Sequence, residues 1–446
     1  MKYKKYSSYK DSGVEWLGEI PSDWNESRLK FVGYTYGGLS GKAGKDFGDE
    51  ENLKSKRFIP FTNIANNTFI KSDNLGYVIV DEKEEQNRVK ANDLFFLMSS
   101  ENYDDLGKAS LLEEDLKDTY LNSFCKGFRL TNKLINPKFL NYLLSGNIYR
   151  KLLSIQGNGF TRINLRLEKL NELKLLLPNL REQQQIANFL DKATSKIDTL
   201  IEKQTKQIEL LKEKRQAVIS HAVTKGINPN VPMKDSGVEW LGEIPEHWEV
   251  KKLKYISTVN DESLSENYSE DFEINYIDIG SVTTGSINKY ENMMYSTAPS
   301  RAKRIVKNGD ILVSTVRTYL KAIAPISLKE DNFIVSTGFA VIRSKNKIIS
   351  DFMKYGLLSN YFIDLVEASS VGISYPAINA SDLITFKIAI PPLQEQQQIA
   401  NYLDEKTSKI DILIEKSNKS IELLKEKRIA LISAAVTGKI DVREFE

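Results

Sequence analysis

The sequence has very few of the residues that build disulfides, metal centres and histidine-based active sites. Its 446 residues include one cysteine, Cys125, and two histidines, His221 and His247. A single cysteine excludes an internal disulfide and fits a reducing compartment. Neither histidine has a cysteine or a second histidine at metal-ligand spacing, so we expect no metal site. Acid–base catalysis through histidine is likewise disfavoured.

Long apolar runs and an excess of one charge are also lacking. No run approaches the ~18–20 apolar residues of a membrane span, and residues 1–13 lack the apolar centre of a signal peptide. We therefore expect a cytoplasmic protein. The 62 basic and 60 acidic residues leave a net charge of +2. This balance excludes a histone-like polycation, so any positive surface for nucleic acid must be local.

Sequence motifs for phosphate binding and methyl transfer are missing as well. There is no GxGxxG motif, and the glycine-rich stretch 37–48 fails the phosphate-loop spacing because Tyr36 lies five residues before Gly41. No Asn-Pro-Pro-Tyr-type tetrapeptide of an amino-methyltransferase is present. We therefore predict a non-catalytic binding protein that holds no cofactor of its own.

What the sequence does contain is a tandem duplication. The segment KDSGVEWLGEIP at residues 10–21 recurs unchanged at 234–245, and EQQQIAN at 182–188 recurs at 395–401. The sequence between these shared motifs differs between the copies. Two copies of one scaffold with unlike intervening sequence suggest a protein that reads two different targets with one architecture.

Each copy ends in a predicted long helix, at residues 179–224 and 392–437. Apolar residues recur at steps of three and four along both, which indicates a coiled-coil seam. We predict that the helices form an antiparallel rod ~60 Å long; the alternative is that each packs only on its own domain. The predicted seam consists of Ile197, Ile201, Gln204, Ile208, Leu211, Ile410, Ile414, Ser417, Ile421 and Leu424.

The predicted fold class is α+β, with two mixed α/β domains and an internal pseudo-two-fold duplication. Four blocks are expected: a first domain at 1–178, a helix at 179–226, a linker and second domain at 227–391, and a second helix with a tail at 392–446. A further helix is predicted at 137–153. Strand-like runs lie at residues 58–64, 94–98, 173–177, 274–279, 311–316 and 386–390.

Several shared motifs together resemble the specificity subunit of Type I restriction–modification systems. A WLGEIPxxW segment precedes each domain, at 16–24 and 240–248. A PxLxEQxxI segment follows at 178–186 and 391–399, and SKID and LLKEKR then recur within both helices. The resemblance covers nearly the whole chain, and the combination of motifs in one order, twice, is specific.

The resemblance implies a function in DNA recognition. Each variable domain would be a target-recognition domain that reads one half of a split, asymmetric site in double-stranded DNA, and the coiled coil would set the spacer. The subunit would hold two modification subunits that use S-adenosylmethionine to methylate adenine N6. Restriction subunits, which translocate and cleave DNA with ATP and magnesium, would join the full complex.

Base-contacting residues cannot be taken from the family, because the variable domains are where its members differ. Sequence-specific readout favours Arg, Asn, Gln, Ser and Thr on loops, with Lys and Arg on phosphates. Arg162 and Arg317 are the preferred candidates; the alternative is that these loops are merely solvated. The full set is Lys42, Lys45, Arg57, Ser99, Ser100, Asn102, Lys108, Asn158, Thr161, Arg162, Arg301, Lys303, Arg304, Thr315, Arg317, Tyr319, Lys321, Ser374 and Tyr375.

Two other functions remain open from the sequence. The chain could serve a related methyltransferase-nuclease that has no translocating motor, or it could be a structural adaptor with two protein-binding heads. The adaptor would show no sequence-specific DNA affinity even with modification subunits present. Near-neutral charge favours the adaptor slightly, whereas the motif set favours DNA recognition.

Overall fold

A computed structural model describes residues 3–14, 16–48, 55–81, 83–265, 268–269, 271–327 and 331–444. The chain divides into two compact units: Met1–Gln204 with Lys419–Glu446, and Thr205–Asn418. Each unit contains one mixed α/β domain and part of each long helix. The sequence blocks therefore interleave in space, because each domain uses both helices.

The first unit contains fourteen named strands among its described residues. They are β1 (Tyr9–Asp11), β2 (Glu19–Pro21), β3 (Asn25–Arg28), β4 (Gly33–Gly37), β5 (Phe47–Gly48), β6 (Ser55–Ile59), β7 (Gly76–Ile79), β8 (Leu94–Leu97), β9 (Ser99–Ser100), β10 (Ala109–Leu111), β11 (Thr119–Leu121), β12 (Cys125–Leu130), β13 (Ile163–Asn164) and β14 (Lys174–Leu177). Its helices are α1 (Phe61–Asn66), α2 (Pro137–Ser145), α3 (Asn147–Ile155), α4 (Leu167–Asn171) and the first part of α5 (Leu180–Lys225).

Two four-stranded sheets form the first domain. One is antiparallel with strand order β10-β8-β12-β4, and the other has the order β11-β6-β7-β5 with a parallel β11–β6 pair. The pair β14–β3 joins the end of the domain to its start. Strand β8 is buried at all four positions, as its unbroken apolar sequence predicts.

The second unit repeats this architecture. Its strands are β15 (Met233–Asp235), β16 (Glu243–Pro245), β17 (Glu249–Lys252), β18 (Ser257–Val259), β19 (Glu273–Ile277), β20 (Val282–Thr283), β21 (Ser286–Ile287), β22 (Glu291–Met294), β23 (Ala302–Ile305), β24 (Ile311–Ser314), β25 (Ile323–Pro325), β26 (Phe333–Ser336), β27 (Phe339–Ser344) and β28 (Lys387–Ile390). The rest of α5 is joined by α6 (Ser350–Leu357), α7 (Asn360–Ala368), α8 (Ala380–Leu383) and α9 (Leu393–Val436).

The two domains share one sheet and differ at the edge of the other. The antiparallel order β18-β27-β24-β25 matches β4-β12-β8-β10 strand for strand. In the second sheet, β22-β19-β26 matches β7-β6-β11, including the parallel pair. The fourth strand lies at opposite edges, β5 beside β7 and β23 beside β26. The two copies thus share the whole first sheet and three strands of the second sheet, and they differ in which edge of the second sheet carries the fourth strand.

The two long helices pack against each other in antiparallel orientation. In the first unit, Leu190 near the start of α5 shares a core with Ile432 near the end of α9. In the second unit, Ile219 near the end of α5 shares a core with Leu403 near the start of α9. The predicted fold class, with two mixed domains and an antiparallel helix pair, is confirmed.

Three local predictions need correction. The strand predicted at 58–64 ends at Ile59, because Pro60 cannot donate to a ladder and α1 begins immediately after it. The run 274–279 leaves the sheet after Ile277 and enters a 3-10 turn. The helix predicted at 137–153 is two helices, because Gly146 is extended with ψ 142°.

Cross-copy capping accounts for that helix break. The N–H of Asn147, at the start of α3, donates to Ser433 Oγ of α9 at 2.7 Å. In the second unit the N–H of Asn360, at the start of α7, donates to Ser220 Oγ of α5 at 2.9 Å. Each domain therefore docks on the long helix of the other copy, a contact that propensity along one segment does not reveal.

Candidate nucleic-acid interface

The loop after β8 in the first domain is held by a turn and by α3. Asn102 Nδ2 donates to Asp105 Oδ2 at 2.9 Å, and the Asp105 N–H donates to Asn102 Oδ1 at 2.8 Å. Arg150 on α3 donates from Nη2 to the carbonyls of Asp104 and Leu106, both at 2.8 Å. Burial lowers the pKa of Arg150 to about 10, so it stays charged at neutral pH and fixes the loop backbone.

A narrow hairpin adjoins this loop, because β13 pairs with β9. Asn158 and Asn164 close it with two backbone hydrogen bonds of 3.1 and 3.0 Å. Gly159 has φ 139°, and a Cβ there would lie 2.1 Å from the carbonyl oxygen of Arg162. Glycine is therefore required for the turn, which leaves Phe160 at the tip with a relative exposure of 106%.

Arg162 stacks on an aromatic ring from a different loop. Its guanidinium carbon lies 5.1 Å from the ring centroid of Phe124, which is itself 51% exposed. Attraction between a cation and a ring face orders the side chain without neutralising its charge. The stack borders an open cleft of about 350 Å³, which is lined by Phe61, Ser99, Ser100, Glu101, Asn102, Asp105, Phe124 and Arg162.

The cleft therefore brings together Ser99, Ser100, Asn102 and Arg162, four of the candidates predicted from sequence. The two parallel N–H donors of an arginine guanidinium match the O6 and N7 acceptors of guanine. A carboxylate such as that of Glu101 can accept a hydrogen bond from the amino group of cytosine. Among the described residues, the buried Ser99 Oγ makes no hydrogen bond. The arrangement provides donors and acceptors of the kind that read base edges.

The second domain carries an equivalent hairpin. Val371 and Ala377 close it with backbone hydrogen bonds of 2.9 and 3.0 Å. Gly372 has φ 120°, and Ile373 at the tip has a relative exposure of 103%. Tyr375 follows two residues later and is also exposed.

Arg317 stacks on this tyrosine from the loop after β24. Its guanidinium carbon lies 5.1 Å from the ring centroid of Tyr375. Arg317 and Lys321 flank a 3-10 turn, and both have φ 51°. Such left-handed conformations persist at non-glycine residues only when neighbouring contacts hold them. Lys321 is held by Glu367 at 3.3 Å and by Thr284 Oγ1, which donates to its carbonyl at 2.7 Å.

Each domain builds an arginine–aromatic stack on its hairpin, but with the two residue types in opposite places and with partners from non-equivalent loops. The residue two positions after the hairpin tip is the cation in the first domain, Arg162, and the ring in the second, Tyr375. The partner comes from another loop in each case, Phe124 after β11 and Arg317 after β24. The two stacks share the hairpin position and the centroid distance, whereas the residue types at that position and the partner loops differ.

A buried ion pair anchors the strand that leads into each recognition loop. Asp93, just before β8, accepts from Arg129 at 2.8 and 2.6 Å and from Tyr36 Oη at 2.6 Å. Asp310, just before β24, accepts hydrogen bonds from Nε and Nη2 of Arg343, each at 2.8 Å. Hydrogen bonding to Asp93 raises the pKa of Arg129, so these arginines are structural cations.

Several sequence candidates point inward or pair with acids. Lys42 is bound to Glu84 at 2.6 Å with only 7% of its side chain exposed. Lys108 donates to the Ala65 carbonyl at 2.9 Å and pairs with Asp105. Thr315 Oγ1 donates to the Gly338 carbonyl at 2.9 Å.

A second group lies on β23 and its flank. Arg301 donates to Tyr276 Oη at 3.2 Å, and Lys303 donates to Tyr295 Oη at 3.3 Å. Burial lowers the pKa of Arg304. Outside the two stacks, the exposed candidates are Lys45, Arg57, Asn102, Asn158, Thr161, Arg301, Tyr319, Lys321 and Ser374.

Sequence reasoning selected Tyr375, the aromatic member of the second site, but missed Phe124, Phe160 and Ile373. One signal was present for the two tip residues: Phe160 and Ile373 are each a lone large apolar residue flanked by Gly and by Ser or Thr. Such a residue in a polar loop has no strand or helix face to occupy, so it is exposed.

The predicted helix seam lies on the least exposed stripe of α5 and α9. Ile197, Ile208, Ile410 and Ser417 are buried, and the other six seam residues are half-buried. Arginine–aspartate pairs cross between the helices in each unit: Arg215 Nε donates to Asp411 at 3.0 Å and Arg428 Nε to Asp198 at 2.9 Å. These matched pairs favour one antiparallel register.

Within the part of the chain that the structure describes, no group of three or more His, Cys, Asp or Glu side chains is arranged to hold a metal ion. No described helix is long and apolar enough to cross a membrane. Cys125 is buried, and burial raises the pKa of its thiol to about 12, which makes it a poor nucleophile.

Comparison with known proteins places this architecture in a defined class. A family model described as the type I restriction modification DNA specificity domain matches residues 21–210 and again 245–423. The chain therefore belongs to the family of type I restriction–modification specificity subunits, whose members are non-catalytic, DNA-recognising components of a larger complex. The resemblance drawn from the repeated motifs is confirmed.

Individual relatives agree over nearly the full length. A Methanocaldococcus jannaschii chain described as a candidate specificity subunit of the type I restriction enzyme MjaX is 30% identical, with 96% of each chain covered. The EcoKI specificity subunit of Escherichia coli K12 is 20% identical over 95% of this chain and 90% of its own. The HsdS subunit of Thermoanaerobacter tengcongensis shares the fold, with TM-score 0.50 and 16% identity over 94% of this chain and 98% of that one.

Proposed function

We propose that this chain reads a split, asymmetric DNA site, one half with each recognition domain. The observation that carries the proposal is that each domain has one exposed arginine–aromatic stack on its hairpin, with a centroid distance of 5.1 Å. Arg162 lies beside Glu101 and Asn102 in a cleft, whereas Arg317 lies beside exposed Tyr319. Two stacks at like hairpins, with the arginine on a different loop and beside different neighbours, fit two half-sites of different sequence.

The same proposal assigns the helix pair two tasks, setting the spacer between half-sites and docking two modification subunits. Exposed leucines recur at equivalent positions on α5 and α9, Leu200 with Leu413 and Leu210 with Leu423. Two like apolar positions suit two like partners. Those partners would bind S-adenosylmethionine and methylate adenine N6, and restriction subunits would add ATP- and magnesium-dependent translocation. The proposed compartment is the cytoplasm.

Charge balance supports recognition within a complex rather than by the isolated chain. A net charge of +2 over 446 residues leaves little general attraction to phosphates, and several lysines are paired with acids. Phosphate contacts dominate DNA affinity. The modification subunits would therefore supply much of the affinity, and this chain most of the sequence choice.

Mapping N6-methyladenine across a host genome tests the proposal. The chain would be co-expressed with its modification subunit in a host lacking other adenine methyltransferases, and a host expressing the modification subunit alone is the control. We expect one bipartite motif with two unlike halves and an undefined spacer. An unsplit or palindromic motif would refute it, as would a stable, S-adenosylmethionine-binding complex that methylates without sequence preference.

A further inference from the structure

The tip residues, Phe160 and Ile373, share a property that the reading of two different sequences does not explain. Each is a large apolar side chain held fully in solvent, at 106% and 103% relative exposure. Each stands directly after a glycine of positive φ, at 139° and 120°. The backbone is thus shaped to present an apolar side chain at the same point in both domains.

Folding gives no reason for this placement. Neither tip residue belongs to any core cluster among the described residues, so neither stabilises its domain by burial. A polar residue at a hairpin tip would avoid the exposed apolar area. A large apolar side chain at such a position indicates a partner that covers it.

The surroundings of the tips favour DNA as that partner. Two residues beyond each tip lies one member of an exposed arginine–aromatic stack, which carries a positive charge in both domains. Charged arginine next to a protruding apolar side chain complements phosphate together with the hydrophobic faces of bases. A protein groove that buried the tip would also have to desolvate the arginine beside it.

The residue types indicate how the tips engage DNA. Phe and Ile are both side chains that proteins insert between base steps to unstack a duplex. Base-edge readers should differ between domains that read different sequences, as the members of the stacks do. The two tip residues are instead alike in being large, apolar and equally placed, and they differ only in shape. They therefore suit an event that occurs at both half-sites whatever the sequence, such as the unstacking of bases.

We propose that Phe160 and Ile373 are wedges that unstack one base step in each half-site. This inference rests on the proposed function, in which an adenine of each half-site is methylated. An enzyme that modifies a base within a duplex must extrude it, and the cost is unstacking and unpairing. Insertion of the apolar side chain would offset part of the free energy needed for unstacking. The extruded adenine would then enter the modification subunit.

Strand-resolved methylation kinetics with the full methyltransferase complex test the wedge. The substrates are a duplex with both target adenines paired and matched duplexes in which one target adenine lies opposite an abasic site. We expect Phe160→Ala to slow methylation in the first half-site by about tenfold or more on paired DNA, with little change in the second half-site. Ile373→Ala should show the reverse pattern.

The abasic duplex supplies the decisive comparison. Removing the pairing partner lowers the cost of extrusion, so each variant should approach the wild-type rate at the unpaired adenine. Phe31→Ala is the matched control, since Phe31 is a 66% exposed phenylalanine in the first unit outside both hairpins, and it should behave as wild type on both substrates.

Other results would overturn the wedge in distinguishable ways. Equal slowing on paired and abasic DNA would assign the tips to binding or base reading. Loss of co-purification with the modification subunit would make the tips a protein contact. Unchanged rates would leave them without a role. If the wild-type complex itself showed no sequence-specific methylation, the proposed function would fail first.

Discussion

Replacing Arg317 tests the recognition site most directly. Its guanidinium is exposed, ordered by the Tyr375 ring at 5.1 Å and positioned by a left-handed backbone. A bidentate arginine–guanine contact is worth about 1–3 kcal/mol of discrimination, whereas an exposed cation–π pair supplies about 0.5–1 kcal/mol. The base contact therefore outweighs the stack, and we expect Arg317→Ala to weaken specific binding roughly 5- to 150-fold.

Arg317→Lys distinguishes the effect of the positive charge from the effect of the two parallel N–H donors of arginine. Lysine keeps the positive charge but cannot present two parallel donors, so base preference should relax while the salt dependence of binding stays near wild type. If Arg317 instead contacts phosphate, the alanine variant should lose affinity for all sequences alike and its salt slope should fall by about one unit.

The assay is methylation of duplex libraries randomised one position at a time, read with the reconstituted methyltransferase complex. Relaxation at one position of one half-site is the expected result. Arg162→Ala is the reciprocal control, because its change should fall in the other half-site. The reasoning is refuted if the Arg317 variants methylate at the wild-type rate with wild-type preference at every position.

Three further outcomes follow from the packing. Ile201→Asp places a charge between the two helices, so it should lower the free energy of unfolding by about 2 kcal/mol or more and reduce the melting temperature and the helical circular dichroism. Leu200→Asp changes an exposed neighbour and should affect neither measurement. Asp93→Ala leaves Arg129 partly buried without its partner and should lower the free energy of unfolding by about 3 kcal/mol, as measured by urea denaturation. An unchanged urea midpoint would show that the ion pair does not stabilise the domain. Cys125 should resist thiol reagents at pH 8 in the native state. Because burial raises its pKa to about 12 from 9.0, its contribution to stability is complete below pH ~9 and is lost as pH rises towards 12, which pH-dependent urea unfolding would reveal.

The repeated and periodic parts of the chain were predictable because local physics determines them. The helices expected at 179–224 and 392–437 are observed at Leu180–Lys225 and Leu393–Val436. Their ends follow from proline before and glycine after, and their buried stripe follows from apolar spacing. The break at Gly146 was not predictable, since it depends on the contact between Asn147 and Ser433, which are 286 residues apart in the sequence.

The candidate site was predictable only in part, for a related reason. Polar loop residues can be selected by type, and this selection included both arginines of the stacks. Whether a lysine is free or paired depends on distant contacts such as Lys42 with Glu84. Nothing local distinguishes Lys42 from an exposed lysine such as Lys45, so the sequence overestimates the number of available cations.

The exchanged stacks show why comparing the two copies by sequence cannot identify the contacts. Such a comparison places Arg162 opposite Tyr375 and suggests that neither role is kept. In the structure each position belongs to an arginine–aromatic pair, as the cation in one domain and as the ring in the other; Phe124 completes the first pair and Arg317 the second. What the duplication preserves is therefore an arrangement of a tip, a cation and a ring on a fixed hairpin. Because either loop can supply the cation, a recognition domain can shift its guanidinium relative to the hairpin tip without rebuilding the sheets that hold both loops.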